Sequence, residues 1–130
     1  MRQFVYISTA KAGIGEGDVD EMVQSALRNN RQFDITGFLV FNGQNFLQLI
    51  EGPGEALRGL MAMLYADPRH EGIVQLAALE IEERSCADWV MQRIRLSDDK
   101  AGRGELLAGM LPPALDPAVR SIIMNFAVLN

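Results

Sequence analysis

The sequence has few of the residues and segments that would assign it to several common classes of protein. Cysteine, histidine and tryptophan each occur once among its 130 residues. The single cysteine, Cys86, excludes an intramolecular disulfide and any cysteine-rich metal site. Because such sparing use of cysteine suits a reducing compartment, we expect a cytoplasmic protein.

Long apolar runs and clusters of positive charge are also missing. No stretch approaches the roughly 18 apolar residues of a membrane span, and Met1-Arg2 leads into a strand-like run rather than a signal peptide. The net charge is −5, and the twelve Lys and Arg residues are scattered. Nucleic-acid binding depends on clustered basic residues. We therefore expect neither a membrane nor a nucleic acid among the partners.

Hydrophobic periodicity predicts a strand, a helix and a hairpin in the first half of the chain. Residues 2–9 are β-branched and aromatic, which is typical of a strand. A helix follows, with Asp18 or Asp20 expected at its N-cap and an apolar face that repeats every three or four residues. Two apolar runs then flank Asn42-Gly43, a pair suited to a tight hairpin turn.

The second half predicts a helix, one or two strands and a helical tail. The helix ends before Pro68, and its apolar face is made of Leu57, Leu60, Met61 and Leu64. Residues 72–83 predict a strand, residues 88–96 a further short one, and a terminal amphipathic helix begins near Asp116. The order is β-α-β-β-α-β with a tail. It predicts an α+β, ferredoxin-like fold, with an antiparallel sheet, two helices on one face and a C-terminal helical extension.

Two primary amides are expected inside this fold. In a ferredoxin-like sheet the first and third strands are neighbours, so Tyr6 and Gln48 lie side by side if their strand faces coincide, which alternation alone leaves open. Gln48 lies in the apolar run FLQLI and needs partners for two donors and one acceptor. Asn30 continues the apolar face of the first helix. Singly, each is best explained as a hydrogen-bonded core residue, but together they suit a flat heterocycle with polar edges.

Other candidate motifs carry less information. GIGEG at residues 13–17 follows a strand but has Asp18 where a dinucleotide-binding loop needs its third glycine. His70 has no recognisable serine partner or set of metal ligands, although with Arg69 it could border a cleft. Nothing in sequence beside Cys86 would lower the pKa of a thiol, so a packed cysteine is expected there.

Taken together, these residues resemble the BLUF family, the flavin-binding sensors of blue light in bacteria. The resemblance covers about residues 3–96 and rests on five segments in order, VYIS, NNRQFDITGFLV, FLQLIEG, DPRH and DWVM. It implies a flavin-binding domain at residues 1–97 and a helical extension or cap at residues 98–130. FAD is the flavin that the resemblance implies, while FMN or riboflavin could fit the same ring site.

The resemblance implies photochemistry without enzymatic turnover. Tyr6 would pass an electron and then a proton to the excited flavin, and Gln48 would rotate or tautomerise and change its hydrogen bonds. Trp89 and Met91 would relay the change outward, and which of them faces Gln48 in the dark is open. The flavin contacts implied by matching positions are Tyr6, Ser8, Asn29, Asn30, Arg31, Gln48, Arg69 and His70. Among these, Asn30 would bond the carbonyl and imide edge of the ring, Arg69 or Arg31 the phosphates, and His70 the ring.

The residues after Leu96 are too few for an effector domain such as a cyclase. The chain thus resembles the short, stand-alone members of the family, whose output is altered association with themselves or with a downstream protein. The tail helix is expected to cover the exposed sheet face or to form a subunit interface. Two alternatives remain at this point, a ferredoxin-like regulatory or assembly module without a chromophore and a small flavin-dependent oxidoreductase.

Overall fold

A five-stranded sheet is the frame of the computed structural model, which describes residues 1–129 and gives only the backbone of Leu129. The strands are β1 (Arg2–Ala10), β2 (Thr36–Phe41), β3 (Asn45–Gly52), β4 (His70–Glu80) and β5 (Gln92–Arg95). Their order across the sheet is β4-β1-β3-β2-β5. The first four strands have the ferredoxin-like arrangement, so the predicted fold is confirmed.

The sheet is mixed rather than wholly antiparallel. Every pair among β1 to β4 is antiparallel, whereas β5 lies parallel to β2. After β4 the chain crosses from one edge of the sheet to the other, where the free edge of β2 has backbone groups that need partners. The short strand expected within residues 88–96 supplies them, with Ile94 buried against the sheet.

Helices cover both faces of the sheet. On one face, α1 (Glu16–Phe33) and α2 (Gly54–Ala66) pack on the strands through side chains that include Val19, Val23, Leu57 and Met61. On the other face lie α3 (Arg103–Met110) and α4 (Pro117–Leu129), whose buried residues include Leu107, Val119, Ile123 and Phe126. The extension therefore covers the sheet face, and most residues of β1, β2 and β3 are buried on both sides.

The start of α1 corrects the expected N-cap. The helix begins at Glu16, and Gly15 takes the capping position in an extended conformation. Asp18 is the third residue of the helix, and its carboxylate accepts the Gly15 N–H at 2.9 Å. Asp18 and Asp20 were thus wrongly predicted as N-caps, although a negative charge in the first turn still suits the helix dipole.

Gly37 on β2 lies directly against the backbone of β3. A methyl group at this position would lie 1.9 Å from the carbonyl oxygen of Leu49. The Gly37 N–H also donates to the carbonyl of Trp89 at 2.7 Å. A larger residue would therefore disturb both the β2–β3 pair and the loop that leads into β5.

We expect Gly37→Ala to lower the free energy of unfolding by about 3 kcal/mol, because either the backbone shifts or a strained contact persists. Urea unfolding of the variant and the wild type measures the change. Gly109→Ala in α3 is the control, since a methyl group there contacts nothing within 4 Å and should change stability by less than about 1 kcal/mol. Equal unfolding midpoints for the two variants would contradict the prediction.

Candidate functional site

A cavity between the sheet and helices α1 and α2 brings together most of the residues singled out in the sequence. Its polar wall residues include Tyr6, Asn29, Asn30, Gln48, Asp67, Arg69 and His70. Apolar side chains from both helices and the sheet complete it, among them Val23, Ala26, Leu39, Phe46, Leu60 and Leu64. A few polar groups converging in an apolar cleft are typical of a site for a small organic ligand.

Tyr6 and Gln48 form the centre of this site. They are directly paired in the register of β1 and β3, so the expectation that they are neighbours is confirmed. The Tyr6 hydroxyl donates to Gln48 Oε1, and Gln48 Nε2 donates to the sulfur of Met91 at 3.7 Å. Because a thioether is a weak acceptor, the amide is held firmly through its oxygen and loosely through its nitrogen.

The structure answers which of Trp89 and Met91 faces Gln48. Met91 is buried in the cavity wall beside the amide. Trp89 packs on the opposite face of the sheet, edge-on to Phe38 with ring centroids 5.8 Å apart. The two residues are only two positions apart, so the chain passes from one side of the sheet to the other just before β5 begins.

Asn30 is fully buried and keeps one polar atom without a partner. Its Nδ2 donates to the carbonyl of Val90 at 2.8 Å, while Oδ1 has no hydrogen-bond partner among the described residues. Since a carbonyl can only accept, the Val90 contact fixes which end of the amide is the nitrogen. The remaining oxygen is a buried acceptor, and such a group costs about 1–3 kcal/mol when it stays unpaired. It suits a ligand with an N–H donor.

Asp67 is a site residue that the sequence reasoning missed. Its carboxylate accepts from Arg69 Nε at 3.0 Å and from Arg69 NH2 at 2.7 Å. These hydrogen bonds, together with the positive charge, hold the pKa of Asp67 below its usual value. The sequence did contain a feature that could have indicated this pair, namely an aspartate two residues before an arginine at the end of a predicted helix, in the DPRH segment.

Burial raises the pKa of the Tyr6 phenol well above its usual value, and the negative charge of Asp67 adds to the effect. Tyr6 therefore remains a protonated donor. Burial and, to a lesser extent, the charge of Glu51 likewise raise the pKa of Cys86. This agrees with the expected packed thiol.

His70 lies in the cavity wall in a fixed orientation. Its Nε2 lies 2.8 Å from the carbonyl of Leu64, and its Nδ1 lies 2.9 Å from the hydroxyl of Ser8. Because the Leu64 carbonyl can only accept, we assign the proton to Nε2, and Nδ1 then accepts from Ser8. Ser8 thus supports His70 and is not itself in the cavity wall. Arg31 is exposed on α1, also outside that wall.

The described residues lack the features of two other kinds of site. They contain no group of three or more His, Cys, Asp or Glu side chains arranged to hold a metal ion. None of the helices in this part of the chain has the length and apolar character needed to cross a bilayer.

Comparison with protein families gives a match over residues 1–92 to BLUF, sensors of blue light using FAD. The chain is 48% identical over 58 residues to the blue light- and temperature-regulated antirepressor BluF of Escherichia coli (strain K12), covering 45% of this chain and 14% of that protein. It is 40% identical over 134 residues to the photoactivated adenylate cyclase subunit beta of Euglena gracilis, covering 84% of this chain and 16% of that protein. The chain spans less than a fifth of the length of these relatives.

Solved structures of BLUF proteins have the same architecture. The dark-state structure of the BLUF protein BlrB superposes with a TM-score of 0.76 at 28% identity, over 96% of each chain. Klebsiella pneumoniae BlrP1 with FMN and cyclic diGMP superposes with a TM-score of 0.78 at 29% identity, covering 97% of this chain and 34% of that one.

The raised pKa of Tyr6 gives a testable dependence of stability on pH. Below about pH 10 the phenol is protonated in both the folded and the unfolded chain, so its contribution is constant. Above that pH the unfolded chain loses the proton and the folded chain keeps it. Stability should then fall by up to about 1.4 kcal/mol per pH unit from this residue alone.

Urea unfolding of the wild type and Tyr6→Phe between about pH 9 and pH 11 measures the effect. The wild type should lose stability more steeply than Tyr6→Phe, because only the wild type has the Tyr6 phenol. The Cys86 contribution is common to both proteins and cancels. Parallel curves would contradict a phenol that stays protonated when folded.

Proposed function

This chain belongs to the BLUF family, the sensors of blue light that use FAD, and we propose that it binds a flavin between α1 and α2 and signals blue light through Tyr6 and Gln48. The observation that carries the proposal is the hydrogen-bonded series from Tyr6 to Gln48 to Met91 in the wall of the cavity. It contains a buried phenol that can donate an electron and a proton, and an amide that can exchange its donor and acceptor ends.

The residues of the cavity fit an isoalloxazine ring. The imide edge of an oxidised flavin offers one N–H between two carbonyls, and Asn30 Oδ1 is a buried acceptor without a partner among residues 1–129. Asn29 and His70 would contact the ring from the cavity wall, and Arg69 the ring or the phosphates. We propose FAD as the flavin. The ring contacts would equally accept FMN or riboflavin, because they do not depend on the phosphates or the adenine.

When bound, the flavin supplies the absorption of blue light and an electron acceptor for Tyr6. The phenol would then pass its proton along the hydrogen bond to Gln48 Oε1, and the electron and proton would both return to Tyr6 at the end of the cycle. Gln48 rotates or tautomerises before the charge returns. A rotated amide presents its oxygen to the Met91 sulfur, which has no proton to donate, so the hydrogen bond between Gln48 and Met91 is lost.

Residues 87–91, which we call the relay segment, connect this change to the other face of the sheet. Met91 lies in the cavity, while Trp89 packs with Phe38 in the core that the extension shares. We propose that the flavin-binding unit is residues 1–97 and that residues 98–130 form the extension that receives the signal. The output is altered association with a second copy or with a downstream protein in the cytoplasm, without enzymatic turnover. The net charge of −5 supports partners other than nucleic acid or membrane.

A regulatory module without a chromophore is less consistent with the cavity. Such a module would leave Asn30 Oδ1 buried and unpaired, at a cost that a water molecule or repacking would have to offset.

Absorption spectra of the purified protein in the dark and after blue illumination test the proposal. We expect a flavin spectrum that moves to longer wavelength in light and relaxes in darkness. A spectrum that bleaches would favour a flavin-dependent oxidoreductase, and a protein that stays colourless with added FAD would favour the module.

Gln48→Leu should keep the flavin and lose the light-induced shift, because the leucine side chain has no donor and acceptor to exchange. Tyr6→Phe should likewise remove the normal photocycle. Gln44→Leu is the matched control, since Gln44 is exposed in the β2–β3 turn. A shift that persists in Gln48→Leu would refute the role of the amide.

Asn30→Leu should weaken flavin binding by about tenfold or more, because the ring loses a buried hydrogen-bond partner. Titration calorimetry with FAD, FMN and riboflavin measures the change and also ranks the flavins. Asn125→Leu, at an exposed position on α4, should leave the affinity unchanged. Equal affinities for the two variants would exclude Asn30 as a flavin contact.

A further inference from the structure

Glu51 is a buried carboxylate on β3 that the photochemistry of the cavity does not use. None of its surface is exposed. It follows Gln48 by three residues, so its side chain lies on the opposite face of the sheet from the amide. In the strand register it is directly paired with Gln3 on β1 and with Thr36 on β2.

The carboxylate accepts four hydrogen bonds. Oε1 accepts from the Thr36 hydroxyl at 3.1 Å and from the Cys86 backbone N–H at 2.5 Å. Oε2 accepts from Gln3 Nε2 at 3.1 Å and from the Ser85 backbone N–H at 3.0 Å. Two donors thus belong to the sheet and two to the loop between β4 and β5, so Glu51 ties this loop to the centre of the sheet.

Arg84 adds a second set of contacts at the same place. Its NH1 donates to the Thr36 hydroxyl at 2.9 Å and to the Glu51 backbone carbonyl at 3.1 Å. Its NH2 donates to the Asp34 carbonyl at 2.7 Å and forms an ion pair with the Asp34 carboxylate at 3.0 Å. Three successive loop residues are therefore fixed to the sheet, and we call residues 84–86 together with Glu51 the clasp.

The relay segment begins immediately after the clasp. Its contacts include those of the Trp89 carbonyl with the Gly37 N–H, of the Val90 carbonyl with Asn30 Nδ2, and of Met91 with Gln48. The Trp89 N–H also donates to the Cys86 carbonyl at 2.9 Å, which joins the clasp to the relay segment. Its far end continues into β5. A displacement that starts at Met91 can therefore travel along the relay segment, but it meets a fixed point at Cys86.

We propose that Glu51 is a positioning residue of the light response, which fixes the upstream end of the relay segment so that a change at Gln48 moves Trp89 against the extension. This inference rests on the proposed function and names the residue that directs its signal. Without a fixed end, the loop would absorb the displacement. A carboxylate suits the task because it offers only acceptors, and the backbone N–H groups of Ser85 and Cys86 can only donate.

Glu51→Gln tests the clasp with almost no change in side-chain volume. The new NH2 group must face either the Ser85 N–H or the Cys86 N–H, and neither can accept a hydrogen bond. One loop hydrogen bond is therefore lost in either orientation, whereas Gln3 and Thr36 can turn to accept. The cavity lies on the other face of the sheet, so flavin binding and the light-induced spectral shift should be retained.

The measurements are hydrogen exchange by mass spectrometry in the dark and under blue light, and the rate of dark recovery after a flash, all on the full chain loaded with FAD. In Glu51→Gln, amides at residues 84–91 should exchange about tenfold faster in the dark, as expected for one lost buried hydrogen bond. The difference between light and dark exchange at residues 103–128 should fall by at least about half. Recovery should be faster, because the relay segment no longer works against a fixed end.

Glu83→Gln is the matched control, because Glu83 is an exposed carboxylate in the same loop. If Glu51→Gln keeps the wild-type spectral shift and also matches Glu83→Gln in exchange and recovery, the inference is overturned and the proposed function stands. A wild type without any light-induced shift would overturn the proposed function itself. Should Glu51→Gln fail to fold, Arg84→Gln loosens the same clasp without touching the carboxylate. The same faster exchange at residues 84–91 and faster recovery are then expected, and their absence would overturn the inference.

Discussion

The hydrogen bond between the Tyr6 hydroxyl and Gln48 is the contact on which the arrangement of the cavity depends. It joins two residues paired across the central strands, where the strand register fixes the backbone of both. Burial keeps the phenol protonated, and in this structure its hydroxyl donates to the amide oxygen. The amide nitrogen is then left with the Met91 sulfur, a weak acceptor. One end of Gln48 is held firmly and the other loosely. Because the phenol oxygen can also accept from the amide N–H, rotation of Gln48 gives up only the weak contact to Met91.

The regular parts of this arrangement could be predicted from the sequence and the irregular parts could not. The ferredoxin-like strand order predicts that the strands of Tyr6 and Gln48 are neighbours, and the register of β1 and β3 then supplies the coincidence of faces that alternation leaves open. The same reasoning fails for Trp89 and Met91, which would share a face in a regular strand. The segment before β5 is not a strand, and the two side chains lie on opposite sides of the sheet.

Asp67 and Glu51, the two carboxylates whose roles the sequence analysis did not predict, differ in how visible their contacts are in the sequence. Asp67 bonds Arg69 two residues away, so the pair is visible in the sequence as a local acid–base spacing at the end of a predicted helix. Glu51 accepts hydrogen bonds from backbone N–H groups that lie 34 and 35 residues further along the chain. Backbone groups carry no side-chain pattern, so only the tertiary structure reveals why this position is acidic. The residues of the cavity can therefore be predicted from the sequence more readily than the contacts that fix the loop between β4 and β5.

Asn30 gives the cavity a second connection to the relay segment, beside that of Gln48. The carbonyl of Val90 fixes the direction of the Asn30 amide, and the same constraint leaves Oδ1 as the unpaired acceptor in the cavity. A ligand that donates to this oxygen is therefore coupled, through one rigid side chain, to the backbone of the relay segment. In the proposed mechanism, ligand binding at Asn30 and photochemistry at Gln48 therefore act on the same short stretch of chain between Cys86 and β5.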